Sequence, residues 1–332
     1  MTATPENTNQ EKYYDIIGKK GIAFWISGIL VAIGIVSFAA VGLNFGIDFR
    51  GGFLLHMTFE GNVGEKQIRE VIAQEKFGIS SNQIQIQSVV NDLSAAEHNE
   101  YIVYIPKNQD EMDKISSGAA NDGERVKKIS DTIMAIKEEL KSTLRVKQFL
   151  RQEFVGPSIG NRLRTQALYA CLVALVGIVL YIAFRFDFKF AVAAIVALVH
   201  DVWITLTIFS VFKVEIDLPF IAAILTIIGY SLNDTIVISD RIRENIRLLR
   251  KKSYDELVNI SINQSMSRTI NTSITTFIPV LVLFLFGGAI LKNFALSLLI
   301  GVVVGTYSSI FVVSPIIIAW KKYDDRKARH AA

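Results

Sequence analysis

Leu218-Pro219-Phe220-Ile221-Ala222-Ala223-Ile224-Leu225-Thr226-Ile227-Ile228-Gly229-Tyr230-Ser231-Leu232-Asn233-Asp234-Thr235-Ile236-Val237-Ile238 is an apolar run with one formal charge, Asp234. Its length matches the ~20 apolar residues that a helix needs to cross a bilayer. Five more runs of the same kind follow from the sequence: Gly21–Leu43, Gln166–Phe184, Phe190–Phe212, Ile270–Ile290 and Phe294–Trp320. Across all six, the formal charges are Asp201 and Asp234. The chain has 332 residues, 51% apolar and 20% charged, and nearly all of that charge lies outside the runs. This distribution excludes an ordinary soluble domain, a disordered chain and a disulfide scaffold. It predicts a polytopic membrane protein with six transmembrane helices.

The first run is too long for a signal-peptide core and no small-residue cleavage site follows, so it is expected to be retained. The one cysteine, Cys171, lies inside the second run and reads as a small packing residue. The net charge of +4 is no sign of nucleic-acid binding, because its placement along the chain carries the information. Seventeen Lys and Arg residues fall in the tail 1–20, the loop after the second run, the basic loop 241–268 and the tail 321–332. The two short loops on the other side hold Lys213 and Lys292. This asymmetry predicts cytoplasmic termini. Trp25 and Trp320 fall near the cytoplasmic run ends, where aromatic anchors are expected. Residues 44–164 then form one external domain.

That domain reads as α+β. Phe53–Phe59 alternates weakly, Gln83–Val89 alternates clearly, and Tyr101–Ile105 and Val146–Val155 complete four strand candidates. Gly64–Phe77 carries Ile68, Val71 and Ile72 at helical spacing. Gly123–Leu144 puts Val126, Ile129, Ile133, Ile136, Leu140 and Leu144 on one stripe. The order β-α-β-β-α-β predicts a ferredoxin-like sandwich, with 108–122 as a mobile loop. His56 and His98 stand alone, and no nucleophile–base or metal-ligand spacing occurs, so no enzyme, cofactor or metal is expected.

Ionisable residues inside a membrane run cost at least ~2.5–3.5 kcal/mol on insertion scales, and they face a partner or a water path. Asp234 and Arg268 are expected at similar depth. One reading is an ion pair that opens and closes as Asp234 binds and releases a proton, with Asn233, Asn271, Thr272, Thr275 and Thr276 beside a hydrated path. The other is a static pair, or an Arg268 that anchors to lipid phosphate. His200 and Asp201 form a possible second polar site, and a purely structural role stays open. Gly301-x-x-x-Gly305 signals close helix packing. Arg241–Lys252 reads equally as a partner surface and as a membrane-hugging helix.

With these pieces placed, the chain resembles the SecF branch of the bacterial SecD/SecF protein-export family. The resemblance rests on Phe45-Gly46-Ile47-Asp48-Phe49-Arg50-Gly51-Gly52, Val155-Gly156-Pro157-x-x-Gly160, Val199-His200-Asp201, Gly229–Val237 running on to Asp240–Asn245, and Arg268-Thr269-x-Asn271-Thr272-Ser273. It implies half of an RND-superfamily bundle, paired with SecD in the bacterial inner membrane. It also implies proton-motive-force-driven completion of polypeptide translocation after the SecYEG channel and the SecA motor. The family's proton-path Asp and Arg fall on Asp234 and Arg268. An RND-like exporter of a lipid or small molecule and a non-transporting scaffold are the competing readings. Either H⁺ or Na⁺ suits a carboxylate with amide and hydroxyl neighbours.

Overall fold

The computed structural model describes residues 14–77, 79–81, 84–88, 100–106 and 122–331. The expected mobile loop, His98 and most of the N-terminal tail lie outside the described residues. The chain divides into two units, Phe45–Tyr169 and a second built from Met1–Asn44 with Ala170–Ala332.

The first unit begins with a one-turn helix α1' (Ile47–Arg50, called the GG turn below) and continues as β1 (Gly52–Phe59), α2 (Glu65–Ile72), β2 (Gln85–Ser88), β3 (Glu100–Pro106), α3 (Asp122–Leu144) and β4 (Val146–Val155). The sheet order is β2-β3-β1-β4, antiparallel throughout. With two helices interleaved, this is the ferredoxin-like arrangement that the element order predicts. Strand β1 is central and both of its faces are covered. Phe53, Leu55, Met57 and Phe59 enter the main core with Val103, Ile105 and the α3 residues Ile129, Ile136 and Leu140. Leu54 enters a smaller cluster with Ile47 and Tyr104. Double coverage explains the weak alternation in the sequence of β1. On that second face His56 is buried and its Nε2 lies 2.6 Å from Glu100 Oε1. The Tyr101 hydroxyl donates to Val63 O at 2.6 Å, and burial, then Glu65, raises its pKa above the usual phenol value.

The second unit holds α1 (Lys20–Ala40), α5 (Phe188–Val211), α6 (Leu218–Leu248), α7 (Tyr254–Phe286), α8 (Gly288–Phe311) and α9 (Val313–Ala331), together with most of α4 (Pro157–Arg185). Among the described residues, six helical segments are long and apolar enough to cross a membrane, α8 and α9 counting as one. Apolar content alone makes each segment prefer a bilayer, and α-helix closes every interior backbone hydrogen bond without water.

Three boundaries differ from expectation. The segment 241–268, expected as a basic loop, is mostly helix: α6 runs on to Leu248 and α7 starts at Tyr254. The reason lies in its buried face, where Ile242, Leu257, Val258 and Ile262 keep helical spacing through the charged stretch. Asn245 Nδ2 donates to Ser261 Oγ and Gln264 Oε1, both at 2.8 Å, and fixes the register of this hairpin. Ser253 caps α7, with Asp255 and Glu256 in its first turn. The last run breaks at Val312, because Pro315 has no N–H to continue the ladder from α8 into α9. The expected C-terminal tail is helical to Ala331.

Small residues set the helix contacts. A Cβ built on Gly34 of α1 would lie 2.3 Å from Thr207 Oγ1 and 2.5 Å from Trp203 Nε1 of α5. Beside it, Ser37 donates to Ser210 at 2.7 Å and Ser210 donates to Gly42 O at 2.7 Å. A Cβ on Gly301 of α8 would lie 2.2 Å from Ile227 Cγ1 of α6, and one on Gly305 would lie 3.2 Å from Ser231 Cβ. The Gly301-x-x-x-Gly305 spacing therefore marks close packing of α8 on α6.

Candidate functional site

Asp234 is 2% exposed on the inner face of α6, and its Oδ2 is buried without a hydrogen-bond partner. A buried carboxylate oxygen left in this state is costly, and such atoms call for an explanation by function, water or an ion. The expected Asp234–Arg268 ion pair is not formed. The contacts Asn245–Ser261 and Arg241–Gln264 set the α6–α7 register. In that register Asp234 is level with residues 271–272, and Arg268 sits about one helical turn, ~5.4 Å, away along the axis. Arg268 is exposed.

The residues expected to line a path separate into two groups. Asn233 and Asn271 are exposed, on the outer surface of α6 and α7. The Thr272 hydroxyl donates to Arg268 O at 2.9 Å, and that of Thr275 to Asn271 O at 2.8 Å, so both are engaged with their own helix. Thr276 is partly buried. Thr269 is 1% exposed, and its hydroxyl, like Asp234 Oδ2, has no hydrogen-bond partner. Sequence reasoning quoted it within the Arg268–Ser273 motif and gave it no place on the path. Its place one residue after Arg268, on the inward side of α7, is the signal that was available.

The second polar site is assembled differently. His200 and Asp201, adjacent on α5, turn towards each other, with Nδ1 and Oδ1 3.0 Å apart. Ser231 of α6 and Ser308 of α8 both donate to Asp201 Oδ2, at 2.6 and 2.8 Å. Asp201 is fully buried with both oxygens hydrogen-bonded; Asp234, one turn beyond Ser231, has no protein hydrogen-bond partner at Oδ2. Ser27, Ser231, Tyr307 and Ser308 were not assigned to this site from the sequence, because a hydroxyl in a membrane helix is common and its partners lie on other helices.

At the opening of the α+β unit, Gly46 precedes the GG turn, and Gly51 (φ 75°) and Gly52 (φ 132°) bend the chain into β1. Both angles lie in the region that favours glycine. Gly160, at the start of α4, approaches so closely that a Cβ there would lie 3.0 Å from Gly51 N. Gly160 N donates to Gly156 O at 2.9 Å, one residue before Pro157 opens α4. The Arg164 guanidinium sits 5.4 Å from the Phe45 ring centroid. The two distant stretches that hold Gly46, Asp48, Gly51 and Gly52, and Gly156 and Pro157, thus form one structural knot.

A further cluster was hidden in the basic stretch. Asn259 Oδ1 accepts from Ile16 N and Ile17 N at 2.9 and 3.1 Å, and Asn263 Oδ1 accepts from Tyr14 N at 2.8 Å. Both side-chain amides donate to Tyr14 O, at 3.1 and 2.9 Å. Two asparagines at i, i+4 on one helix face therefore hold the backbone that leads into α1. Among the described residues no group of three or more His, Cys, Asp or Glu is placed to hold a metal ion.

Six membrane-length helices among the described residues, with a buried, incompletely partnered carboxylate, and a ferredoxin-like domain after the first, define a multi-pass membrane protein with an RND-like half-bundle. The chain belongs to the SecD/SecF family. Residues 135–323 match the family described as protein export membrane protein SecD/SecF, C-terminal, and residues 36–63 match the SecD/SecF GG motif. Protein translocase subunit SecF of Desulfurispirillum indicum is 44% identical over 312 residues, 93% of this chain and 92% of that protein. Protein translocase subunit SecDF of Thermus thermophilus is 44% identical over 294 residues, 88% of this chain and 36% of that protein. The crystal structure of SecDF, a translocon-associated membrane protein from Thermus thermophilus, superposes with a TM-score of 0.79 at 38% identity, over 96% of this chain and 40% of that one. A second SecDF structure, in a super-membrane-facing form, gives 0.66 at 37% identity, over all of this chain and 41% of that one.

Proposed function

We propose that this chain is a non-enzymatic subunit of the Sec protein-export machinery that couples the proton-motive force to the completion of polypeptide translocation. The observation that carries the reading is Asp234, 2% exposed inside a membrane-length helix with Oδ2 unpartnered, and Arg268 about a turn away. Protonation removes the cost of the unpaired charge, so two arrangements of α6 and α7 differ in proton affinity. A ligand shifts a conformational equilibrium only through such differential binding. One charge crossing the membrane supplies ~2.3 kcal/mol per 100 mV, enough to bias the exchange.

The partner is SecD, supplying the remainder of a SecDF-like assembly. The exposed polar side chains Asn233, Arg268 and Asn271 support this, since polar groups on the outer face of a membrane helix need a protein or water partner. SecYEG and SecA act upstream, and the ferredoxin-like domain meets the emerging unfolded chain. The charge asymmetry supports an inner-membrane placement with both termini cytoplasmic and membrane lipid around the basic helix ends.

The test is export of a preprotein into inside-out vesicles that carry this chain with SecD, with the proton gradient intact or collapsed by an ionophore. Faster completion with the gradient, lost when this chain is omitted, is the expected result. Equal export with and without the gradient contradicts the reading and favours a scaffold.

A further inference from the structure

The His200–Asp201 pair sits in a hydrogen-bond chain whose proton positions can be counted. The Tyr307 hydroxyl donates to Ala23 O at 2.8 Å. A hydroxyl has one proton, so in the 3.1 Å contact between Ser27 and Tyr307 the donor is Ser27. Ser27 then accepts from His200 Nε2, 3.1 Å away, and that nitrogen carries a proton. At the other end, Ser231 donates to Asp201 Oδ2, and Ser308 gives its one proton to Asp201 Oδ2 at 2.8 Å rather than to Gly305 O, the longer contact at 3.2 Å to an uncharged acceptor. One contact is left, His200 Nδ1 to Asp201 Oδ1 at 3.0 Å, and it takes one proton between two atoms.

With that proton on Nδ1 the pair is imidazolium and carboxylate; with it on Oδ1 the pair is imidazole and carboxylic acid. Both forms are net neutral. Without it, a ring lone pair faces a carboxylate and a bare negative charge stays in a site with no exposure. The groups facing the pair are Ser27 and Ala23 O from α1, Ser231 from α6, and Tyr307 and Ser308 from α8. Tyr307 is the one further titratable side chain among these partners, and its proton is engaged.

We infer that His200 and Asp201 keep one proton between them and act as a net-neutral clamp on α1, α5, α6 and α8, a positioning device for the turn of α6 that carries Asp234. Ser231, held by Asp201, precedes Asp234 by one turn on the same buried face, at the level where Gly305 of α8 packs against α6. The fixed clamp and the incompletely partnered carboxylate thus divide the labour of holding and titrating. The clamp stands on its own geometry; its service to Asp234 rests on the proton-coupled reading.

Asp201→Asn separates a clamp from a second proton site. The amide oxygen accepts from both serines, and the amide N–H donates to His200 Nδ1, so a fixed proton replaces the shared one. In vesicles that hold the full chain with SecD at equal protein level, Asp201→Asn is expected to keep gradient-driven export within about twofold, because no hydrogen bond is lost. Asp201→Leu, which removes every acceptor, is expected to lower export and the folded fraction by about tenfold or more. Should Asp201→Leu yield too little protein, Ser231→Ala with Ser308→Ala is expected to lower the unfolding midpoint in micelles. Loss of the gradient response in a folded Asp201→Asn chain overturns the inference, and so does a wild-type midpoint in the double serine variant. Asp234→Asn, run in parallel, reports on the proton-coupled reading separately.

Discussion

Gly301→Ala tests the closest helix contact in the membrane unit. The added Cβ would lie 2.2 Å from Ile227 Cγ1, 2.5 Å from Cδ1 and 2.9 Å from Cγ2. Carbon atoms settle at roughly 3.5–4.0 Å, so more than about 1 Å must open between α6 and α8. Ile227 is 1% exposed and β-branched, and a helix leaves such a side chain one preferred rotamer, so it cannot swing aside. Separation of the backbones draws Ser308, two turns further along α8, off Asp201 Oδ2, where the bond is now 2.8 Å. Overpacking costs about 1–3 kcal/mol, and a lost bond to a buried carboxylate about 1.5–3 kcal/mol; the helix preference for Ala returns about 1 kcal/mol. The expected net loss is about 1.5–5 kcal/mol. Gly28→Ala and Gly177→Ala are the controls, since a Cβ at either has nothing within 4 Å. Unfolding in mixed micelles by a denaturing detergent gives the comparison. If Gly301→Ala unfolds within about 0.5 kcal/mol of the controls, an ordinary surface-substitution effect, the packing argument fails.

Asn259→Ala removes the acceptor shared by Ile16 N and Ile17 N, both in buried residues, and is expected to speed hydrogen exchange of those amides by about tenfold or more, with Gly18 N, bonded to Asp15, unchanged. Leu140→Ala, at a fully buried position of the ferredoxin-like core, is expected to cost about 2–5 kcal/mol of domain stability, read as an earlier thermal transition. In the same domain Lys76 Nζ donates to Glu139 Oε2 at 2.6 Å and, as the main cause, holds that carboxyl below its ordinary value of 4.5. A depressed carboxyl stabilises above its unfolded pKa and loses that contribution as pH falls through the folded value. Lys76→Ala is therefore expected to lower the midpoint slightly near neutral pH and to leave it unchanged in strong acid.

The α+β domain was legible because its periodicities are local. Ile84 and Ile86 alternate, and Ile129, Ile136 and Leu140 recur at helical spacing, so strand and helix follow from neighbours in the chain. The six membrane segments were legible for the same reason, since an apolar run needs no distant partner to be recognised. The hairpin of α6 and α7 beyond residue 241 was not, because its many charges mask a narrow buried face of Ile242, Leu257, Val258 and Ile262. Asp234 was legible as a charge in an apolar run. The one-turn offset of Arg268 was not, since register depends on Asn245 meeting Ser261 across the hairpin. The serine partners of Asp201 come from two other helices, and the Asn259 and Asn263 clamp joins residues more than 240 positions apart. Such contacts leave no periodic trace in the sequence.

The central claim is that Asp234 takes up and releases the coupling proton. Its most direct measurement is gradient-dependent preprotein export in inside-out vesicles with Asp234→Asn, at matched protein level and with the fold checked by its unfolding midpoint. Asparagine keeps the size of the side chain and removes the titrating group. The account predicts a folded chain whose export no longer responds to the proton gradient. A folded Asp234→Asn chain that exports with the wild-type gradient response contradicts it.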